Sequence, residues 1–134
     1  MTRYFIVLFV CHLSFFSFSQ ETEKNISTND QIAFFVEEEA EFIGGQKALN
    51  AYIDSSLIYP FQVCVQGKCY ARFVINIDGS ISDVKIIHGI PGCDECDKET
   101  VRVIMAMPKW KPAKNQGKIV ACYYTLAIDF TIYR

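Results

Sequence analysis

Apolar and polar residues alternate in the middle of the chain, and this alternation predicts a β-hairpin. From residue 69 to residue 77, one face of the predicted strand consists of Cys69, Ala71, Phe73, Ile75 and Ile77. Asp78 and Gly79 follow, and this pair favours a tight turn because glycine readily adopts a positive φ. A return strand is predicted over residues 81–88.

Apolar residues at helical spacing predict one helix on each side of this hairpin. The first helix is expected to end before Tyr59 and Pro60, because the residue before a proline is pushed out of the α region. Its core-facing stripe consists of Leu49, Tyr52, Ile53 and Leu57. The second helix is predicted over residues 97–107, and Pro108 ends it. Its buried stripe is expected to consist of Val101, Ile104 and Met105.

A long strand is predicted over residues 119–132, where every second residue from Val120 onward is apolar. Its other face is mixed and is expected to meet solvent or a partner. The element order is helix, strand, strand, helix, strand. It predicts an α+β fold, in which two helices cover one face of a three-stranded antiparallel sheet.

The first 19 residues have the features of an export signal. Arg3 supplies a positive start, residues 4–18 are almost all apolar, and Ser17 and Ser19 are small residues ahead of the expected cleavage point. An apolar run of fifteen residues is shorter than the roughly 20 that span a bilayer comfortably. We interpret residues 1–19 as a cleaved signal peptide. The alternative is an inner-membrane anchor through residues 4–18.

Charge divides the remaining chain into an acidic tether and a weakly basic domain. Residues 20–41 hold one lysine against seven acids, whereas residues 42–134 hold eleven basic residues against eight acids. This small positive excess does not indicate a nucleic-acid-binding protein. The block AFFVEEEAEF, residues 33–42, is expected to add a short edge strand or to lean on the domain.

Taken in order, these segments resemble the TonB C-terminal domain family over residues 41–132. The resemblance rests on EFIGGQKALNAYI, YP, ARFVINIDGSISDVKIIHG, DKETVRVIMAMPKWKPAKNQGK and a closing apolar strand. Its sharpest part is MPKWKPAKNQGK, which holds the single tryptophan and four lysines. In this stretch Ala113 stands where the family usually has a glycine.

The resemblance implies that MPKWKPAKNQGK, residues 107–118 and here called the connector, is scaffold. Trp110 would pack between sheet and helix while Pro108 and Pro112 fix the path of the chain. Tyr59, Pro60 and Gly79 would also be structural. The alternative interpretation is a lysine patch for an anionic surface.

The resemblance also implies a function. The family's domain is the periplasmic end of an energy transducer, and it binds an extended peptide of an outer-membrane receptor along the edge of its last strand. The residues expected to meet the partner are Ile119, Ala121, Tyr123, Thr125, Ala127 and Asp129. A homodimer through this edge is the alternative, and another envelope protein is a second kind of partner. A full transducer needs a retained membrane anchor and a proline-rich spacer, and residues 20–41 contain no proline. We therefore expect a stand-alone form of the domain.

Five cysteines would remain after cleavage, and an exported protein is expected to form disulfides. The predicted pairs are Cys64 with Cys69 and Cys93 with Cys96, with Cys122 as a buried thiol. Pairing of Cys69 with Cys122 is the competing arrangement.

No enzymatic constellation is evident, and neither an enzyme nor a cofactor is expected. The rival hypothesis is an exported thiol-disulfide or metal-binding protein on the same scaffold. Cys93 and Cys96 would then be a redox pair, or they would join His88 and Cys64 or Cys69 as metal ligands.

Overall fold

The computed structural model describes residues 32–60 and 66–131. The predicted signal peptide, most of the tether before residue 32, Cys64 and Ile132 lie outside the described residues. The helices and strands are α1 Gly45–Ser56, β1 Gly67–Ile75, β2 Ile81–His88, α2 Asp94–Met105, β3 Ala113–Asn115, β4 Lys118–Val120 and β5 Cys122–Phe130. No helix within the described ranges is long and apolar enough to cross a membrane.

The architecture is the predicted α+β arrangement of two helices and a three-stranded antiparallel sheet. The strand order is β2-β1-β5, so the hairpin lies next to the last strand. Alternate residues of β1 and β5, among them Phe73 and Ile128, are fully buried because they form the sheet's core face. Leu49 of α1 is also buried in this core, and the Tyr52 hydroxyl donates to the Val103 carbonyl of α2 over 3.0 Å.

The last strand is interrupted, contrary to the prediction of one continuous strand over residues 119–132. Strand β4 pairs with β3 in a separate hairpin. The turn between them has positive φ at both Gln116 and Gly117, 51° and 73°, which is the geometry of a two-residue hairpin turn. Ile119 therefore pairs with Lys114 and does not belong to the main sheet.

Helix α2 begins three residues earlier than predicted because Cys93 caps it. The Cys93 sulfur accepts a hydrogen bond from the Cys96 N–H over 3.2 Å. The predicted buried stripe is wrong at Met105, which is 60% exposed. The residues that face the core are Cys96, Thr100, Val103 and Ile104, a stripe with i, i+4, i+7 and i+8 spacing.

The connector docks on the turn of the β1–β2 hairpin. Trp110 is only 3% exposed, and its ring lies 5.5, 5.9 and 4.8 Å from the rings of Phe42, Phe73 and Tyr124. Its backbone N–H donates to the Gly79 carbonyl over 2.9 Å. At Gly79 φ is +82°, and a Cβ there would lie 2.1 Å from the Trp110 carbonyl oxygen. This packing supports the interpretation of the connector as scaffold.

Candidate functional site

Strand β5 lies at one edge of the sheet, and among the described residues β1 is its only strand neighbour. The two strands pair without a bulge along nine residues, from Cys122 opposite Ile75 to Phe130 opposite Gly67. The inner edge of β5 is therefore fully used. The outer edge is the surface where the family resemblance predicts that a partner binds.

The direction of the outer backbone groups follows from a short contact at the start of β5. The Tyr123 N–H donates to the Ala33 carbonyl over 3.2 Å, and the Ala33 N–H donates to the Ala121 carbonyl over 2.9 Å. The Tyr123 N–H therefore points away from β1. In an antiparallel pair, every second residue directs both backbone groups to the same edge. Thr125, Ala127 and Asp129 thus also present their N–H and C=O groups outward.

Two contacts mark the ends of this outer edge. Ala33 occupies the beginning, and the Tyr59 hydroxyl occupies the end by donating to the Thr131 carbonyl over 2.8 Å and to the Asp129 carbonyl over 3.4 Å. Between them, within the described ranges, no backbone partner covers the groups from the Tyr123 C=O to the Asp129 N–H. We call residues 123–129 the open edge. At about 3.3 Å per residue it is roughly 20 Å long, enough for a partner strand of about five residues.

The structure places the six predicted partner-binding residues in three different settings. Tyr123, Thr125, Ala127 and Asp129 lie along the open edge, with their side chains on the face opposite the buried Leu126 and Ile128. The Ala121 carbonyl is already bonded to Ala33. Ile119 lies in the β3–β4 hairpin, so its assignment to the last strand is wrong.

Charged and aromatic side chains surround the open edge on the exposed face of the sheet. The Arg72 guanidinium lies over the Tyr123 ring, 5.2 Å from its centroid. Lys68 lies 4.0 Å from the Asp129 carboxylate. Both members of that ion pair are about half exposed, so the pair contributes little to stability.

Residues 33–42, here called the strap, are bound to the domain before α1 begins. Backbone hydrogen bonds of 2.8–3.0 Å join Glu38 to Lys114 and Glu41 to Lys111 of the connector. At the other end, the Phe34 ring packs 4.7 Å from that of Tyr123. The last part of the predicted tether, residues 33–41, therefore pairs with the folded chain at Ala33, Glu38 and Glu41.

Two of the four connector lysines have acidic neighbours. Lys114 lies 3.7 Å from the Glu38 carboxylate of the strap, and Lys109 lies 3.8 Å from that of Asp78. The Gln116 N–H also donates to the Glu37 carboxylate over 2.9 Å. The acidic strap thus offsets part of the positive charge on which an anionic-surface patch would depend.

The cysteines agree with the prediction at one pair and contradict it at the other. Cys93 and Cys96 form a disulfide at the start of α2, as predicted. Cys69 has a free thiol, so the predicted pairing with Cys64 is wrong. The reason is that Cys69 faces α2 on the core side of β1, where its thiol donates to the Asp97 carboxylate over 3.2 Å.

The competing pairing of Cys69 with Cys122 is also wrong, because both thiols are free. Cys69 lies opposite Ile128 and Cys122 lies opposite Ile75, at the two ends of the β1–β5 pair. Six residues of strand separate these positions, roughly 20 Å, and a disulfide needs Cα atoms within about 7 Å.

The geometry does not favour the thiol or metal hypothesis. The Cys93 and Cys96 side chains are each 1% exposed and are bonded to each other, so neither thiolate is available as a ligand. Burial raises the pKa of Cys69 to about 11, and the Asp97 carboxylate adds to this rise. A reactive thiol needs a low pKa and access to solvent. Over the described ranges, no group of three or more His, Cys, Asp or Glu residues could hold a metal ion.

Comparison with known proteins identifies a family and a similar solved structure. The model of the family described as Gram-negative bacterial TonB protein C-terminal matches residues 64–132, just over half of the chain. The solution NMR structure of the Pseudomonas aeruginosa TonB CTD is 26% identical to this chain, with a TM-score of 0.47. That match covers 57% of this chain and 79% of the other. No curated protein sequence matches.

Proposed function

Because the chain belongs to the family of Gram-negative bacterial TonB protein C-terminal domains, we propose that it binds an extended peptide of an outer-membrane receptor by strand addition. Membership of the family supports a TonB-like role and a receptor or other envelope protein as the partner. The peptide would become the fourth strand of the sheet, next to β5.

The observation that carries this proposal is the open edge. Thr125, Ala127 and Asp129 direct backbone groups outward, and a partner strand would satisfy those groups with main-chain hydrogen bonds. An unpaired edge of this length is a hazard for self-association unless something covers it or limits it. Ala33 and the Tyr59 hydroxyl limit it here, so that a short stretch stays accessible between two contacts.

The proposed location is the periplasm. The family implies a place in the cell envelope, and the disulfide between Cys93 and Cys96 agrees with an oxidising compartment. We further propose that residues 1–19 are removed on export, that residues 42–134 form the binding domain and that no enzymatic activity is present.

Backbone amide shifts measured by NMR during titration with amino-terminal receptor peptides test the proposal. We expect the largest changes at Thr125, Ala127 and Asp129. Proline at an outward position removes one donor to the partner and no bond to β1. Ala127→Pro should therefore weaken peptide binding at least tenfold, whereas the control Ala127→Ser should bind as the wild type does.

Two results would contradict strand addition. One is a set of shifts confined to residues away from β5, and the other is equal peptide affinity for Ala127→Pro and Ala127→Ser. Sedimentation at the same concentrations distinguishes strand addition from the dimer alternative. A dimer that pairs two open edges would form without peptide, and Ala127→Pro would abolish it.

A further inference from the structure

The strap and the first half of β5 enclose a cleft of about 380 Å³ beside the open edge. The residues that matter most in its lining are Phe34, Phe35, Glu39, Tyr123, Tyr124 and Thr125. Thr125 belongs to both features, because it lines the cleft and directs its backbone groups to the open edge. A peptide strand paired with β5 would therefore pass the mouth of the cleft.

The walls of the cleft are aromatic and unusually exposed. Phe34 is 70% exposed and Phe35 is 91% exposed, although they are adjacent apolar residues. The Phe34 ring is tilted 33° from that of Tyr123, with 4.7 Å between the centroids. Aromatic faces that remain open to solvent attract cations and cover the apolar stems of long basic side chains.

One residue of the cleft lining, Glu39, also brings a negative charge beside the aromatic rings. Within the described ranges, Glu37 and Glu38 of the strap bind Gln116 and Lys114 of the connector, but Glu39 has no ion pair. Burial raises the pKa of Tyr124, and the Glu39 charge raises it further. The pKa of Cys122 rises for the same two reasons, partly offset by a backbone hydrogen bond. Glu39 lines the same cleft as these two residues.

We propose that this cleft is a subsite for one basic side chain, lysine or arginine, of the peptide that pairs with β5. The side chain would enter beside Thr125, lay its methylene stem against the Phe34 and Tyr123 rings, and bring its charge to Glu39. This inference rests on the proposed strand addition. It adds a chemical requirement at one position of a peptide that is otherwise recognised through its backbone.

A preference for an acidic side chain of the peptide would come from a different surface. The Arg72 guanidinium lies over the Tyr123 ring and is exposed, and it does not line the cleft. An acidic side chain of the peptide would be attracted to Arg72 on the exposed face of the sheet. A test of the subsite must therefore compare lysine with both an uncharged residue and an acidic one.

The test uses capped seven-residue host peptides of alternating threonine and serine, each with one lysine that is moved through the sequence. Matched peptides carry norleucine, which has an uncharged aliphatic side chain of similar length, or glutamate. Affinities come from amide shift titrations of the wild type, Glu39→Gln and Glu38→Gln. Glu38→Gln is the control, because it removes the same charge from the neighbouring strap residue that faces Lys114.

We expect lysine to bind about threefold to fivefold more tightly than norleucine at one peptide position, a size typical of an exposed cation against aromatic rings and one carboxylate. That preference should fall below about twofold in Glu39→Gln and persist in Glu38→Gln. The Phe34 and Phe35 ring resonances should move only with the lysine peptide.

Equal affinity of lysine and norleucine peptides at every position would overturn the subsite while leaving strand addition intact. Tighter binding of the glutamate peptide, or equal losses in Glu38→Gln and Glu39→Gln, would also overturn it. If no host or receptor peptide shifts the amides of Thr125 and Ala127, strand addition itself fails, and the subsite fails with it.

Discussion

The Gly79–Trp110 junction and the open edge of β5 use backbone polar groups in opposite ways. At the junction, the Trp110 N–H is bonded to the Gly79 carbonyl, and the space around Gly79 has no room for a Cβ. At the open edge, the outward groups of Thr125 and Ala127 have no backbone partner among the described residues. The junction thus fixes its backbone groups within the fold, whereas the open edge leaves them accessible on a strand that is held straight by its pairing with β1 and by the core behind it.

The largest effect is expected from Trp110→Ala, which should disrupt the packing of the Gly79–Trp110 junction. Its ring contacts Phe42, Phe73 and Tyr124, so truncation should destabilise the domain by about 3–5 kcal/mol. Thermal denaturation measures the loss. Trp110→Phe is the control and should lose less stability, because the indole N–H that it removes has no hydrogen-bond partner among the described residues. A melting temperature unchanged in Trp110→Ala would contradict the core role.

Gly79→Ala should have the next largest effect, about 3 kcal/mol, because it adds both a strained φ and a collision with the Trp110 carbonyl. Gly92→Ala is a matched control. Its φ of +79° is similar, but a Cβ there meets nothing within 4 Å, so only the strain of about 1 kcal/mol is expected. Urea denaturation compares the two variants. Equal losses of stability in the two variants would show that the collision with the Trp110 carbonyl contributes nothing to the effect of Gly79→Ala.

These two regions also differ in how far the sequence predicts them. The hairpin follows from alternation and from Asp78 and Gly79, and its return strand has the predicted bounds. The core position of Trp110 was implied by the family resemblance, whereas periodicity alone does not indicate it. Apolar alternation in β5 correctly predicts its buried face, because Leu126, Ile128 and Phe130 all lie in the core.

The limits of the open edge could not be predicted from local patterns. The contact of Ala33 with residues 121 and 123 joins segments about ninety residues apart, and nothing in either segment specifies the other. The β3–β4 hairpin that precedes the break at Ala121 has Gln116 at positive φ, a conformation that glutamine seldom adopts. The apolar sequence AFFV, residues 33–36, is the one local feature that indicates that this part of the acidic segment contacts the domain.

A smaller effect is expected from Glu99→Gln, which tests how α2 supports the end of the open edge. The Glu99 carboxylate accepts the Ile58 N–H over 2.7 Å, next to Tyr59, and pairs with Arg102 at 2.6 Å. The hydrogen bonds from Arg102 lower the pKa of Glu99. A lowered pKa stabilises the fold above the unfolded-state pKa, and this contribution is lost as the pH falls through the folded-state value.

Glu99→Gln should therefore lower the melting temperature by a few degrees at pH 7, and the difference from the wild type should shrink below about pH 4. Melting curves across this range provide the check. A difference that is the same at pH 3 and pH 7 would mean that the charge of Glu99 does not contribute.

The smallest and most local effect is expected from Ala33→Pro. This change removes the N–H that donates to the Ala121 carbonyl and loosens the acceptor of the Tyr123 N–H. The Tyr123 amide should then exchange with solvent at least tenfold faster, with little change in global stability. Phe35→Ala is the control, because Phe35 is 91% exposed and should leave the exchange unchanged. If Tyr123 keeps its protection in Ala33→Pro, the strap does not limit the edge.

Hydrogen exchange along β5, with and without a receptor peptide, tests the central claim most directly. In the free protein, the amides of Thr125, Ala127 and Asp129 should exchange fast, while those of Leu126 and Ile128, which face β1, should exchange slowly. The peptide should slow the first set and leave the second unchanged. Slow exchange of Thr125 and Ala127 without peptide, or no change on its addition, would contradict an open edge that binds by strand addition.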